Sequence, residues 1–263
     1  MSSAWRALAV GAVCLSGSAL AGNFQPVTVE IVAPDGRTFR EFPVDSRDGA
    51  LRSYLEAEKG ARYQVRVRNR SGERLGLVIA VDGRNIINGK RSELARSEPM
   101  YVIDAWDTQS YAGWRASLET INEFYFTDWK HSYAEAFGDR SARGVIAVAV
   151  YREVQLPPPA WRPFSEDESG RAEAPAASAE AGAADRAKVG RRDQSPGTGY
   201  GDRRADPAVR VQFEAQSNPD SRHFIKYEWR ETLCRKQLLE CGEKNRFWDE
   251  SVLGFAPPPP GRR

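Results

Sequence analysis

Residues 62–83 read RYQVRVRNRSGERLGLVIAVDG, and the fold class is decided there. In the first half Tyr63, Val65 and Val67 fall on one side of an extended chain and Gln64, Arg66 and Arg68 on the other. That period of two is the mark of a strand with one face in a core and one in water. In the second half Leu75 to Val81 is apolar without alternation, as expected of a strand covered on both faces. The run stops at Asp82-Gly83, is followed by RNII, and meets a second turn signal at Asn88-Gly89. Asp-Gly and Asn-Gly between apolar runs supply the left-handed residues that tight hairpins need.

The same signals recur on both sides of this stretch. VTVEIV (27–32) alternates through Val27, Val29 and Ile31, and MYVID, EFYF and GVIAVAVYRE read as further strands. Nearer the C-terminus, VRVQFEA and RHFIKYEWR read as two more, the latter placing Ile225, Tyr227 and Trp229 together. Helical patterns are short: SYAEAF near Ser132, DGALRSYLEAEKG with Ser46 as its cap, and TLCRKQLLE before Gly242. Many short strands separated by turn signals predict a mainly β fold, a β-sandwich or jelly-roll-like domain with a few short helices. Residues 22–154 are enough for a core of their own. Residues 208–256 are marginal as a separate β unit and are read as packing on the same domain.

Composition sets the boundaries. The first residues, MSSAWRALAVGAVCLSGSALA, place Arg6 before an uncharged run and end in small residues at Ala19 and Ala21. This is the order of a cleavable secretory signal spanning 1–21, with the cut between Ala21 and Gly22. The run is shorter than the ~20 apolar residues of a membrane span, and no later segment supplies one. Cleavage leaves 37 basic against 36 acidic residues, a balance that argues against a nucleic-acid protein. Residues 155–207, QLPPPAWRPFSEDESGRAEAPAASAEAGAADRAKVGRRDQSPGTGYGDRRADP, are dominated by small, charged and turn-forming residues. Such a stretch buries too little apolar surface to offset its ordering entropy and is read as a disordered linker or insertion. Residues 257–263 form a proline-rich tail.

Chemistry-bearing motifs are few. The chain contains no G-x-S-x-G elbow, HExxH, CxxC or phosphate-cradling loop. His131 and His223 are the only histidines. Ser132 adjoins His131, but neighbours in sequence do not make a triad, and His223 reads as a strand-edge residue. No cofactor, metal site or catalytic residue is expected. Hydrolysis by two carboxylates stays open, because it depends on a spacing that only the fold determines.

Ten aromatic residues fall between Tyr101 and Phe137. Alternating Phe124 and Phe126 read as core, and Trp114 after Gly113 as a corner plug. Trp106, between Asp104 and Asp107, and Trp129, after Asp128, are the expected ligand-facing rings, because flat apolar faces beside carboxylates suit sugars or peptides.

Two cysteines follow the signal, Cys234 and Cys241. Export favours a bridge between them. A single helix through both would hold their Cα atoms ~10 Å apart, beyond the ~7 Å a disulfide spans. A continuous helix and a bridge therefore exclude each other.

The segments Tyr63–Ser71, Val78–Asn85, Asn88-Gly-Lys, Met100-Tyr-Val, Gly113-Trp-Arg and Phe124-Tyr-Phe, with Lys226-Tyr-Glu-Trp-Arg-Glu-Thr-Leu-Cys and Asn245-Arg-Phe-Trp, resemble a family of exported bacterial β-rich domains without an established activity. The resemblance implies export and a β fold, and nothing about catalysis. The expected function is a non-catalytic structural or binding module of the cell envelope, in the periplasm or at the cell surface, with an envelope protein or polysaccharide as partner. The alternatives are a carboxylate-dependent carbohydrate-active hydrolase and a subunit of a surface appendage.

Overall fold

The computed structural model describes residues 25–46, 48–155, 195–239 and 241. The expected signal at 1–21 with its cut between Ala21 and Gly22, residues 156–194 of the expected linker and the expected tail at 257–263 lie outside them. In chain order the strands are β1 (Val27–Val32), β2 (Glu41–Val44), β3 (Leu51–Ala57), β4 (Gln64–Asn69), β5 (Leu75–Val81), β6 (Arg84–Asn85), β7 (Tyr101–Ile103) and β8 (Thr108–Tyr111). They continue with β9 (Gly113–Arg115), β10 (Thr120–Glu123), β11 (Phe126–Asp128), β12 (Val145–Arg152), β13 (Pro196–Thr198), β14 (Arg203–Ala205) and β15 (Ser221–Trp229). The helices are single turns or little more, α1 (Tyr133–Ala136) and α2 (Arg230–Arg235). Ser132 caps α1, its hydroxyl accepting from the Glu135 N–H.

The fold is mainly β. All seven residues of β5 are buried, because Leu75, Leu77, Ile79 and Val81 face the core and Val78 a second cluster on the other face, while β12 pairs with one edge and β6 and β7 share the other. Asp82 and Gly83 both adopt positive φ, 50° and 83°, in a two-residue turn that pairs Val81 with Arg84. The larger sheet runs β2-β3-β15-β12-β5-β6. A smaller one, β1-β4-β8, shares its core. Val27, Ile31, Val65 and Val67 from the small sheet meet Leu77, Ile79, Val148, Ile225 and Tyr227 from the large one. Phe124 and Phe126 also point into that core. Two face-packed sheets with alternating inward residues make a sandwich.

The opposite face of the large sheet is covered too. Val78, Ala149 and Tyr151 pack there under Leu94, Met100 and Phe213, and the Tyr151 hydroxyl donates to the Leu94 carbonyl at 2.6 Å. Gly76 has no side chain because Met100 Sδ and the Phe213 ring occupy the space a Cβ would need.

Three expectations change. The DGALRSYLEAEKG stretch is β3, not a helix. Its residues pair with β15 in parallel, His223 opposite Leu51 through Trp229 opposite Ala57, and burial of Leu55 and Ala57 decides the period. Local helix propensity is a weak prior that such packing overrides. Residues 195–207 of the linker are built into the fold: β13 pairs with β11, and β14 with β10. Their glycines are what permits it. A Cβ on Gly199 would overlap the Tyr125 ring, and one on Gly197 would lie 2.6 Å from Ser132 Cβ. The VRVQFEA stretch forms no strand; only Ala215 bridges to Glu153, and Val209 is 84% exposed. The C-terminal segment lies centrally, β15 standing between β3 and β12.

Candidate functional site

The ring expected to face a ligand at Trp106 is 69% exposed. Trp106 sits in the turn before β8 at φ 62°, with its backbone N–H donating to the Ser71 carbonyl at 3.1 Å. Asp107 caps that turn, accepting from the Thr108 N–H at 2.7 Å and from Gln109 at 3.0 Å. Asp104 forms an exposed ion pair with Arg74 at 3.6 Å. Trp129 is different: it is only 1% exposed. Its indole N–H donates to Glu135 at 2.6 Å and the Arg143 guanidinium lies over its ring at 5.0 Å. The flanking Asp128 turns outward to Lys59, while β13 covers the ring's turn through the Trp129 N–H to the Ser195 carbonyl. Trp129 is therefore part of the interior, and the two tryptophans do not form one platform.

What the fold brings together lies elsewhere. β1 and β2 are joined by a short hairpin in which Phe39 N–H donates to the Ile31 carbonyl at 2.9 Å. From there β1 stays in the small sheet and β2 crosses to the edge of the large one. Between the diverging strands opens a cleft of about 520 Å3 lined by Val27, Thr28 and Val29 on one wall and by Glu41, Pro43 and Val44 on the other. Its floor follows from register. Glu41 pairs with Leu55, which pairs with Tyr227; Pro43 pairs with Ser53, which pairs with Ile225; Leu51 pairs with His223. Directly paired residues share a sheet face, and Leu55 and Tyr227 face the core. Glu41, Ser53 and His223 therefore point inward with them.

These three polar groups are held at low solvation. Glu41 accepts from the Ser53 hydroxyl at 2.8 Å. Burial pushes its carboxyl upward, with Ser53 and the Ile31 N–H pulling the other way. His223 is 6% exposed, and burial lowers its imidazole to about 4. The ring is neutral at ordinary pH. Among the described residues its hydrogen-bond partner is Ser221 Oγ at 3.4 Å, a long contact for a buried imidazole. At the rim Arg52 pairs with Asp48 at 2.6 Å and stacks on Phe224. The sequence signal that could have found this floor is a histidine at the head of the inward series His223, Ile225, Tyr227. Glu41 and Ser53 left none, because their facing depends on the β2-β3-β15 register.

A second polar cluster is sealed inside. Asp82 is fully buried and accepts from the Tyr227 hydroxyl at 2.6 Å, the Gly144 N–H at 2.7 Å and the Thr198 N–H at 2.8 Å. The Thr198 hydroxyl lies 2.8 Å from Tyr227 and 2.7 Å from Tyr63. Burial pushes Asp82 up to about 6 despite these donors and Lys226. With no exposure, the cluster is a pin: it ties the chain after the linker to β5, β15 and the residue before β4.

His131 is exposed and Ser132 is occupied as a helix cap, so they form no catalytic pair. Cys234 and Cys241 are bridged, with Cα atoms 5.5 Å apart. Helix and bridge coexist because α2 ends at Arg235 and Gln237 turns at φ 58°. Among the described residues no three His, Cys, Asp or Glu side chains could hold a metal ion, and no helix is long and apolar enough to cross a membrane. No family model, curated protein or solved structure matches the chain.

Proposed function

We propose that this chain is a non-catalytic binding module of the cell envelope, exported by its N-terminal signal, and that the cleft between β1 and β2 is where it engages its partner. The observation that carries the reading is His223, a buried imidazole with one long hydrogen bond among the described residues, on the floor of an open cleft whose wall also carries Glu41. Buried polar groups are ordinarily satisfied, and a concave site with a few convergent polar groups is the usual form of a binding site. The Cys234–Cys241 bridge supports export, since disulfides persist outside the reducing cytoplasm.

Hydrolysis by paired carboxylates fits the cleft less well. Its wall carries Glu41 and Asp45, four residues apart on an extended chain and so ~13 Å apart at Cα. The pair needed flanks a bond at ~5–10 Å.

A photo-crosslinking residue placed at Pro43, which shares the inward face with Ser53, in protein exposed to an isolated envelope fraction, tests the reading. A discrete adduct is expected from Pro43 and not from exposed Lys130, which does not line the cleft. No adduct from Pro43, or equal adducts from both positions, overturns it.

A further inference from the structure

The cleft has an asymmetry that identifies its occupant. In β1 the Ile31 carbonyl accepts from Phe39 rather than from β4, so the main-chain groups of Ile31 point away from β4. Along a strand those directions repeat every second residue. Val29 and Val27, opposite Val67 and Asn69, therefore turn their N–H and C=O groups into the cleft as well. None of these four groups bonds to another described residue. The Arg40 carbonyl accepts from the Glu56 N–H, so on β2 the groups of Glu41 and Pro43 face the gap. There Pro43 has no N–H to offer, the usual way an edge strand is blunted. One wall is an open strand edge with both donors and acceptors, and the other lacks the Pro43 donor. Charge adds a second constraint: among the described residues the lining carries Glu41 and Asp45, while the cation there, Arg52, is engaged by Asp48.

We propose that the cleft accepts an extended peptide strand of a partner protein, which pairs main chain to main chain with β1 at Val27 and Val29 and directs a lysine or arginine side chain to Glu41. This rests on the cleft being the binding site. Such strand addition draws affinity from main-chain hydrogen bonds and specificity from alternate side chains. The free edge runs from Val27 to Val29, ~7 Å at ~3.3 Å per residue, and closes at Ile31, whose carbonyl accepts from Phe39 and whose N–H donates to Glu41.

The test uses the full chain and fluorescein-labelled TVTKTVT amide as probe, read by anisotropy. Saturable binding is expected. Replacing the probe's lysine with glutamate should weaken it at least ~tenfold, and Glu41→Gln should erase most of that preference. Two probes N-methylated on alternate residues should behave oppositely: one binds like the parent and the other does not, because an added strand offers only every second N–H to its neighbour. Val29→Pro, which removes one cleft-facing N–H and spares the bonds to β4, should also weaken binding; the methylated probes make the same test without altering the protein. Absence of saturable binding up to about 1 mM, or equal binding of both methylated probes, overturns strand addition, and indifference to the probe's lysine overturns the role of Glu41. A Pro43 adduct without peptide binding would leave a binding module whose ligand is not a peptide strand. Loss of both would remove the site itself.

Discussion

Replacing Asp82 with asparagine removes a fully buried carboxyl from the fold, and its effect on the pH dependence of stability can be worked out. Burial holds the carboxyl at about 6, against about 3.9 in an unfolded chain. The folded state therefore binds more protons than the unfolded state between these values, and stability falls as pH rises through them. A shift of roughly 2 pH units at ~1.36 kcal/mol each amounts to ~3 kcal/mol, fully present below about pH 4 and lost above about pH 6. His223 acts in the opposite sense over the same window. Its folded value of about 4 lies below the unfolded 6.5, so its contribution, also ~3 kcal/mol, is absent at low pH and gained as pH rises. In the native chain the two nearly cancel. Asp82→Asn should expose the histidine, giving a protein whose stability climbs by ~3 kcal/mol between pH 4 and 7 relative to the native chain. Urea unfolding followed by tryptophan fluorescence at pH 4, 5, 6 and 7 measures this. A stability gap between the two proteins that stays constant within ~0.5 kcal/mol across the series would refute the reasoning.

Three other outcomes follow from the packing. Gly199→Ala should destabilise by ~1–3 kcal/mol, because its methyl would overlap the Tyr125 ring; a thermal melt unchanged by the substitution would mean that β13 does not dock as described. Cys234→Ser should cost ~2.5 kcal/mol in urea unfolding, the loop-closure value for a ring of about eight residues, and non-reducing peptide mapping of the native protein should recover the Cys234–Cys241 linkage. Trp106→Gly should leave stability unchanged or raise it by up to ~1 kcal/mol, since the ring is exposed and its φ of 62° is strained for a bulky residue. A loss above ~1 kcal/mol would show that the indole has a packing role.

The turn at Asp82-Gly83 needed only neighbours in the chain to be read, as did the alternation of Tyr63, Val65 and Val67 and the apolar continuity of Leu75–Val81. Each is a local property: backbone sign or side-chain period. What the sequence could not carry was partnership between distant segments. LRSYLEA becomes a strand only because β15 lies beside it in parallel. SPGTGYGDRRAD resembles linker by composition, yet its glycines are small because Ser132, Tyr125 and the Glu123 carbonyl fill the space above them. Trp129 looked like surface because of Asp128, but β13, from beyond the linker, covers its turn. The candidate site is wholly of this second kind. Glu41, Ser53 and His223 are up to 182 residues apart in the chain, and they meet on one face because strand register, which the tertiary structure sets, fixes on which side of a sheet each side chain falls.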